Sequence, residues 1–351
     1  MSKFIPNYHN MMDVMDNRRP ARLPLYEHII SPSIMEKIMG VSFSSLMQGG
    51  VSDRLEFARQ FCRFFKEMTY DTVSYEVCIV DILPGHGAIM GGRPGPVQNR
   101  RDFETYPWDK LPDLYWDVAT RQFDAIAAEL PPGMKAVGGV GNGVLELSED
   151  LVGYEYLAFM QADEPELYAD LHVKIGDLMT VIWKRFLERY FESFAICRFG
   201  DDLGFRSSCL VSPSVIREHI LPQYRRVMSV IKGAGKPFLW HSCGCIFEVM
   251  EDVIALGINA KHSNEDAISP YERWIEDYGN RIGLLGGIDL DILCQKTPDE
   301  VYRTVLERGR RFRAMAQGYA LGSGNSIPDY VSVDGYLAMV RAVQSLRAEE
   351  P

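Results

Sequence analysis

His241 and Cys243 stand two positions apart at the end of the apolar run Pro237-Phe238-Leu239-Trp240, just where a short buried strand should stop. Residues two apart in a strand project to the same side, so the imidazole and the thiol can face one point. A lone His-x-Cys is common in protein cores and by itself means little. Here a third group follows, Glu265 at the end of the next apolar run. Imidazole nitrogen, thiolate sulfur and carboxylate oxygen are donors that zinc accepts in tetrahedral sites. His241, Cys243 and Glu265 are therefore the candidate metal ligands.

Other polar groups fall at the ends of similar runs: Glu27-His28, Glu76 with Asp81 just beyond, Asn142, Asp201-Asp202, Asp289, and Ser323-Gly324-Asn325. Asp81, Asp201, Asp202 and Glu76 are candidate acids, bases or charge stabilisers. Tyr26, Glu27, His28, Asn142, Asn325 and Tyr330 are candidates for substrate contact. Each has a competing structural reading. Asp289 fits a helix cap, Asp201 or Asp202 could hold a loop, and Glu76 among apolar neighbours needs a partner if buried. His28, His86 and His262 also read as hydrogen-bonded structural histidines, and Tyr26, Tyr75, Phe205 and Tyr330 as packing.

The elements that must position these groups alternate along the chain. Candidate strands cover 22–29, 72–77, 135–141, 195–202, 236–244, 258–266, 281–289 and 318–325. Helical periodicity fills the intervals, as in 53–69, where Leu55, Ala58, Phe61, Cys62 and Phe65 share a face. Helices over 163–190, 212–232 and 297–317 open on proline and capping residues. Eight strand–helix units predict a single (β/α)8 TIM barrel over residues 1–351, with the polar strand ends gathered at its carboxyl face. No Gly-x-Gly-x-x-Gly opens a helix after the first strand, which weighs against a dinucleotide fold. The Gly- and Pro-rich stretch 78–113 reads as a long loop at the rim of the site.

Composition agrees with a large apolar core: 46% of the 351 residues are hydrophobic and 24% are charged. The net charge of −11, with Lys and Arg scattered, argues against a nucleic-acid surface. No apolar run approaches the roughly 18 residues of a membrane span, and the first residues lack a secretory apolar segment. Seven cysteines without a disulfide spacing suggest reduced thiols and a cytoplasmic protein.

The sequence resembles the uroporphyrinogen decarboxylase superfamily, which includes the decarboxylase and a set of cobalamin-dependent methyltransferases, all (β/α)8 barrels. The likeness is carried by "VDILPGHGAIMGG" (80–92), "LVGYEYLAFMQADEPELYADLH" (151–172), "LVSPSVIREHILPQYRRVMSVIKGAGKPFLWHSCG" (210–244) and "GLLGGID" (283–289). By this resemblance Asp81 corresponds to the aspartate that binds pyrrole nitrogens in the decarboxylase. The arginine-rich segment that grips propionates there is "PLYEHIISPSIMEK" here, and the late Gly-His-Gly is Gly322-Ser323-Gly324. The zinc methyltransferases of the superfamily use His-x-Cys, matched by His241-Ser242-Cys243, and a later cysteine where this chain has Ser323, a departure that would shift ligation towards Glu265, Asp266 or Asp202.

The resemblance thus implies a corrinoid-dependent methyltransferase. It would move a methyl group from a small donor, such as a methoxylated aromatic, to the Co(I) of a corrinoid (cobalamin) carried by a separate protein. Zinc, or a protonated Asp201 or Asp202, would neutralise the leaving phenolate. The expected partners are that corrinoid protein and the methyl donor, with a homodimer compatible with both. The alternatives are a methylcobalamin:thiol methyltransferase, a metal-free decarboxylase-like enzyme using Asp81, and a non-catalytic corrinoid-protein-binding barrel. The concentration of acids, His and Cys at the strand ends weighs against the last.

Overall fold

The computed structural model describes residues 4–350, so the unit expected over 1–351 extends slightly beyond them at both ends. Seven strands, β1 Thr72–Cys78, β2 Lys135–Gly141, β3 Phe194–Gly200, β4 Phe238–His241, β5 Ala260–His262, β6 Gly283–Ile288 and β7 Tyr319–Ser323, form one parallel sheet in chain order. They fall on seven of the eight candidate strands. Helices connect every successive pair, the arrangement of a TIM-barrel-like α/β fold.

The first candidate strand, 22–29, is the exception. Leu25 makes one parallel bridge to Leu321, and Ile30 makes another to Ile327. Tyr26 N–H donates to the Leu321 carbonyl and Leu321 N–H to the Pro24 carbonyl, both at 2.9 Å, so the segment runs along β7. Pro24 has no N–H to extend a ladder. Towards β1 the link is made by a side chain, Ser74 Oγ donating to the His28 carbonyl at 2.6 Å. The sheet therefore has seven strands and a partial eighth stave where the sequence pattern predicts a full eighth strand.

Alternation along the strands builds the interior in layers. Its floor is apolar: Val137, Ile196, Leu239, Ala260, Leu285 and Ala320 pack with Met11, Val14 and Met15 of the N-terminal helix His9–Met15. Two residues further along β3, β4 and β5 come Arg198, His241 and His262, so a polar layer rests on the apolar plug. Helices bury the outer faces of the strands. Phe61, Phe64 and Phe65 of helix Val51–Glu67 and Ile182, Trp183 and Phe186 of helix Pro165–Tyr190 belong to that larger core.

Two connections differ from the sequence reading. The helix expected over 212–232 is interrupted by a wide π turn at Ile216–Ile220, just before Leu221-Pro222, where proline withholds an N–H. The stretch 78–113 is not an open loop: it holds short helices at Ala88–Gly91 and Arg100–Thr105. Buried Asp150 anchors it by accepting Gly87 N–H at 2.8 Å and Ile89 N–H at 3.3 Å. Among the described residues, no helix is long and apolar enough to cross a membrane.

Candidate active site

The polar layer begins with a buried ion pair. Arg198 of β3 donates to Glu76 of β1 at 2.7 Å through Nη2 and at 3.2 Å through Nε. Its Nη1 reaches Ser74 Oγ at 2.6 Å, Tyr26 OH at 2.8 Å and the His28 carbonyl at 3.2 Å. The guanidinium has no exposed surface, so these contacts replace its water. Glu76 is thus the internal ion-pair partner of Arg198, and Tyr26 is a buried member of the same network.

Three histidines lie above this platform. The rings of His28 and His241 stack with centroids 3.9 Å apart and planes 13° from parallel. His241 Nδ1 is 2.8 Å from His262 Nδ1, and His262 Nε2 is 3.0 Å from the Ser323 carbonyl. Burial holds all three neutral, with His28 and His241 well below the ordinary imidazole value and His262 lowered to about 3. At the mouth, His241 Nε2 faces Cys243 Sγ at 3.4 Å and Asp202 Oδ1 at 3.7 Å. Cys243 Sγ also receives Ser263 Oγ–H at 3.4 Å and the Asn325 amide at 3.5 Å. Asp202 is tied to the same turn by accepting Cys243 N–H at 2.8 Å.

The carboxylates divide by environment. Asp201 is fully buried and accepts the N–H groups of Leu145 (3.0 Å) and Glu146 (2.9 Å), with Tyr224 OH at 2.5 Å. Helix Val144–Val152 starts at Gly143, which has no side chain to cap it, and Asp201 supplies the cap from the neighbouring strand. Burial raises Asp201 to about 6 against those three hydrogen bonds. Both its oxygens are engaged, so it holds the fold. Glu146, at the same helix start, is pushed well above the carboxylate range by burial and by the charges of Asp201 and Asp202. Asn142, in a left-handed conformation (φ 70°), donates to Glu146 Oε2 at 2.8 Å and accepts Val80 N–H at 3.2 Å.

The remaining candidates are scattered around the mouth. Glu27 is buried, accepting Ser323 N–H at 2.8 Å and contacting Ser323 Oγ, and burial raises it to about 8. Glu265 lines an adjoining cavity of about 480 Å³ with Arg206, Asn264, Asp289 and Asn325, the last of which also reaches Cys243. Asp81 and Tyr330 are exposed, and Asp289 caps the helix Leu290–Gln295 through Asp291 N–H at 2.8 Å. Tyr75 hydrogen-bonds Gln122 of the outer helix Leu111–Glu129 and so serves as packing outside the sheet.

A metal would find two donor clusters among the described residues: His28, His241 and His262, or Asp202, His241 and Cys243. A ligating imidazole holds its metal in the ring plane. The planes of His28 and His241 run nearly parallel and do not converge on a common ion, so the first cluster does not fit. The second joins nitrogen, sulfur and carboxylate oxygen on one side of the mouth and suits zinc. The structure brings His241 and Cys243 together as the sequence suggests, with Asp202 rather than Glu265 as the neighbouring carboxylate. Ser323 turns its hydroxyl towards Glu27 and the Asn325 carbonyl, the latter at 2.8 Å. Sequence reasoning missed Arg198, Glu146 and the link from His262 to His241. A signal for Arg198 was present: it is a lone charge inside the apolar run "AICRFG".

Parallel strands in chain order, an apolar plug and a polar carboxyl-end mouth define a TIM-barrel-like protein with its site at the strand ends. The chain belongs to the uroporphyrinogen decarboxylase (URO-D) family, whose model matches residues 43–346. Among solved structures it is similar to a methyltransferase from Methanosarcina mazei, at 14% identity and a TM-score of 0.70, covering 96% of this chain and 98% of that one. A candidate vitamin-B12 independent methionine synthase from Listeria monocytogenes aligns at 11% identity and a TM-score of 0.49, covering 93% and 98%. A glycoside hydrolase family 5 enzyme from Prevotella bryantii aligns at 9% identity and a TM-score of 0.43, covering 95% and 97%. No curated protein matches the chain by sequence.

Proposed function

We propose that this protein is a methyltransferase that takes a methyl group from a small methylated donor, a methoxylated aromatic in the leading case, and delivers it to the Co(I) of a corrinoid on a separate protein. The observation that supports this reading is the His241–Cys243–Asp202 cluster at the mouth of a URO-D-family barrel. The arginine-rich segment that grips the propionates of a tetrapyrrole is missing from the matching stretch, residues 24–37. His241 Nε2, Cys243 Sγ and Asp202 Oδ1 would hold zinc, which when bound acts as a Lewis acid towards an ether or phenol oxygen.

The chain's own groups account for the rest. As the methyl–oxygen bond breaks, the phenolate oxygen gains charge and needs a proton. Burial and the charges of Asp201 and Asp202 favour the protonated form of Glu146, and donating that proton would leave a neutral phenol and a Glu146 carboxylate. Asn142 orients that carboxyl through its amide. Asn325, whose amide donates to Cys243 beside the Glu265 cavity, would give its second N–H to a substrate oxygen. The mouth framed by Cys243, Asp202 and Asn325 would face the partner's corrinoid, which when bound supplies the methyl acceptor.

The test is to incubate the protein with a reduced corrinoid protein and a panel of methoxyaromatics, methylamines and thiols, following cobalt methylation by its visible spectrum. Methylation by a methoxyaromatic with release of the phenol supports the proposal. Demethylation of the methylated corrinoid by a thiol, or carbon dioxide release without corrinoid, overturns it in favour of the opposite transfer or a decarboxylase using Asp81.

A further inference from the structure

We propose that His262 is a positioning residue: fixed by the Ser323 carbonyl, it locks His241 as the Nδ1–H tautomer and so turns the bare Nε2 of His241 towards Cys243 and Asp202. A backbone carbonyl can only accept, so the 3.0 Å contact from His262 Nε2 to Ser323 O places a proton on that nitrogen. A neutral imidazole has one N–H, which leaves His262 Nδ1 as a lone pair. The 2.8 Å contact between the two Nδ1 atoms then requires the proton to sit on His241. One further step leaves His241 Nε2 unprotonated, 3.4 Å from Cys243 Sγ and 3.7 Å from Asp202 Oδ1. Cys243 S–H points its proton at that lone pair, while Ser263 and Asn325 donate to the sulfur. Nitrogen, sulfur and oxygen thereby face one point, with a lone pair rather than a proton on the nitrogen.

The chain reaches deeper. Ser323 is held by Glu27, which accepts its N–H at 2.8 Å and contacts its hydroxyl. The Ser323 hydroxyl owns one proton yet touches two oxygens, of Glu27 and of the Asn325 carbonyl. Both contacts are hydrogen bonds when Glu27 carries a proton of its own and donates it to Ser323 Oγ, while Ser323 donates to Asn325. Segment 22–29 is thus wired through Ser323 and His262 to the ligand face of His241. Outer partners of this kind fix a ligating imidazole's orientation, and their loss typically costs about 10- to 100-fold in metal affinity.

This inference rests on the donor cluster used in the proposed function, but its first readout needs neither metal nor activity. Nitrogen-15 spectra of histidine-labelled, metal-free protein, assigned with a His241→Gln variant, should show His241 protonated at Nδ1 and His262 at Nε2. Competition with a chromophoric chelator should then show zinc held about 10- to 100-fold more weakly by His262→Phe. His262→Asn, which keeps an acceptor near the Nδ1 position, should recover most of that loss. A His241 signal protonated at Nε2 in the wild-type protein overturns the proposal even if the variants fail to fold. So does a folded His262→Phe protein that binds zinc like wild type. The zinc content of wild-type protein tests the metal reading separately.

Discussion

The imidazole of His28 lies flat against that of His241, with centroids 3.9 Å apart and planes 13° from parallel. The stack closes one face of His241 and leaves only its edge for binding: Nδ1 to His262 and Nε2 to the mouth. His28 therefore acts as a wall of the site. The first prediction follows. Zinc bound to wild-type protein should be lost on His241→Ala or Cys243→Ala, by more than the roughly 10- to 100-fold of an outer-shell change. Asp202→Ala should weaken it measurably, whereas Glu265→Ala and His28→Phe should leave the stoichiometry intact. Elemental analysis after dialysis against a mild chelator decides, and zinc retained by Cys243→Ala but lost from Glu265→Ala would reverse the assignment.

Glu146 and Asp201 adjoin but are expected to separate in function. Glu146→Gln keeps the bond to Asn142 yet has no proton to give, so transfer from a methoxyaromatic should slow by about 10²- to 10⁴-fold. With a donor whose phenol is strongly acidic, the loss should shrink, because a stable phenolate needs no proton. Asp201→Ala should instead lower thermal stability, about 0.5–2 kcal/mol for a lost cap. An equal rate deficit for both donors in Glu146→Gln removes it as the acid.

Glu27 gives a pH dependence with a definite sign. Its folded value of about 8 lies above the ordinary carboxylate value of roughly 4.3. Between those values the folded protein keeps a proton that the unfolded chain has lost, so the group's contribution falls as pH rises, by up to about 1.4 kcal/mol per pH unit, and levels off above about 8. Glu27→Gln reproduces the neutral acid's contacts, its carbonyl accepting Ser323 N–H and its amide donating to Ser323 Oγ. The melting temperature of the variant should match wild type near pH 5 and exceed it increasingly towards pH 8. Glu149, also raised to about 8 by burial, is present in both proteins and cancels in the comparison. Parallel curves from pH 5 to 9 exclude the protonated carboxyl.

These positions show what a single sequence reveals. Seven strands were legible because parallel strands buried on both faces read as continuous apolar runs between capped helices. The 22–29 run mixes Leu23, Leu25, Tyr26 and Ile29 with Arg22, Glu27 and His28, and its pairing with β7 alone depends on Pro24 and on how the sheet edges meet, which no local pattern records. His241 ends β4 and Cys243 lies two residues beyond it, outside the strand, yet the same-side placement that alternation predicts holds, with Sγ 3.4 Å from His241 Nε2. The same alternation fails for Glu265: Ser263, at φ 97°, turns the chain immediately after β5 and sends that carboxylate to the neighbouring cavity. Asp202 takes the vacated place through a bond to Cys243 N–H that joins residues 41 apart in sequence.

The Arg198–Glu76 pair provides the last prediction. Arg198 spends its donors on Glu76, Ser74, Tyr26 and the His28 carbonyl, all inside the polar layer. None of these hydrogen bonds reaches a mouth residue, so the pair holds β1, β3 and the 22–29 segment in register beneath the histidines, while the Arg198 charge helps to keep His28, His241 and His262 neutral. Removing only the cation leaves Glu76 buried at low dielectric without a partner, and Arg198→Met should cost about 3–5 kcal/mol. Replacing both members, in Arg198→Met with Glu76→Leu, removes the stranded charge and should restore much of that stability. The double variant should nevertheless show weaker zinc binding, because the His28 carbonyl and the ring stacked on His241 lose their anchor. Urea denaturation of the two single variants and the double variant gives the coupling energy, and a double variant no more stable than Arg198→Met would mean that the pair's worth lies in packing rather than in charge.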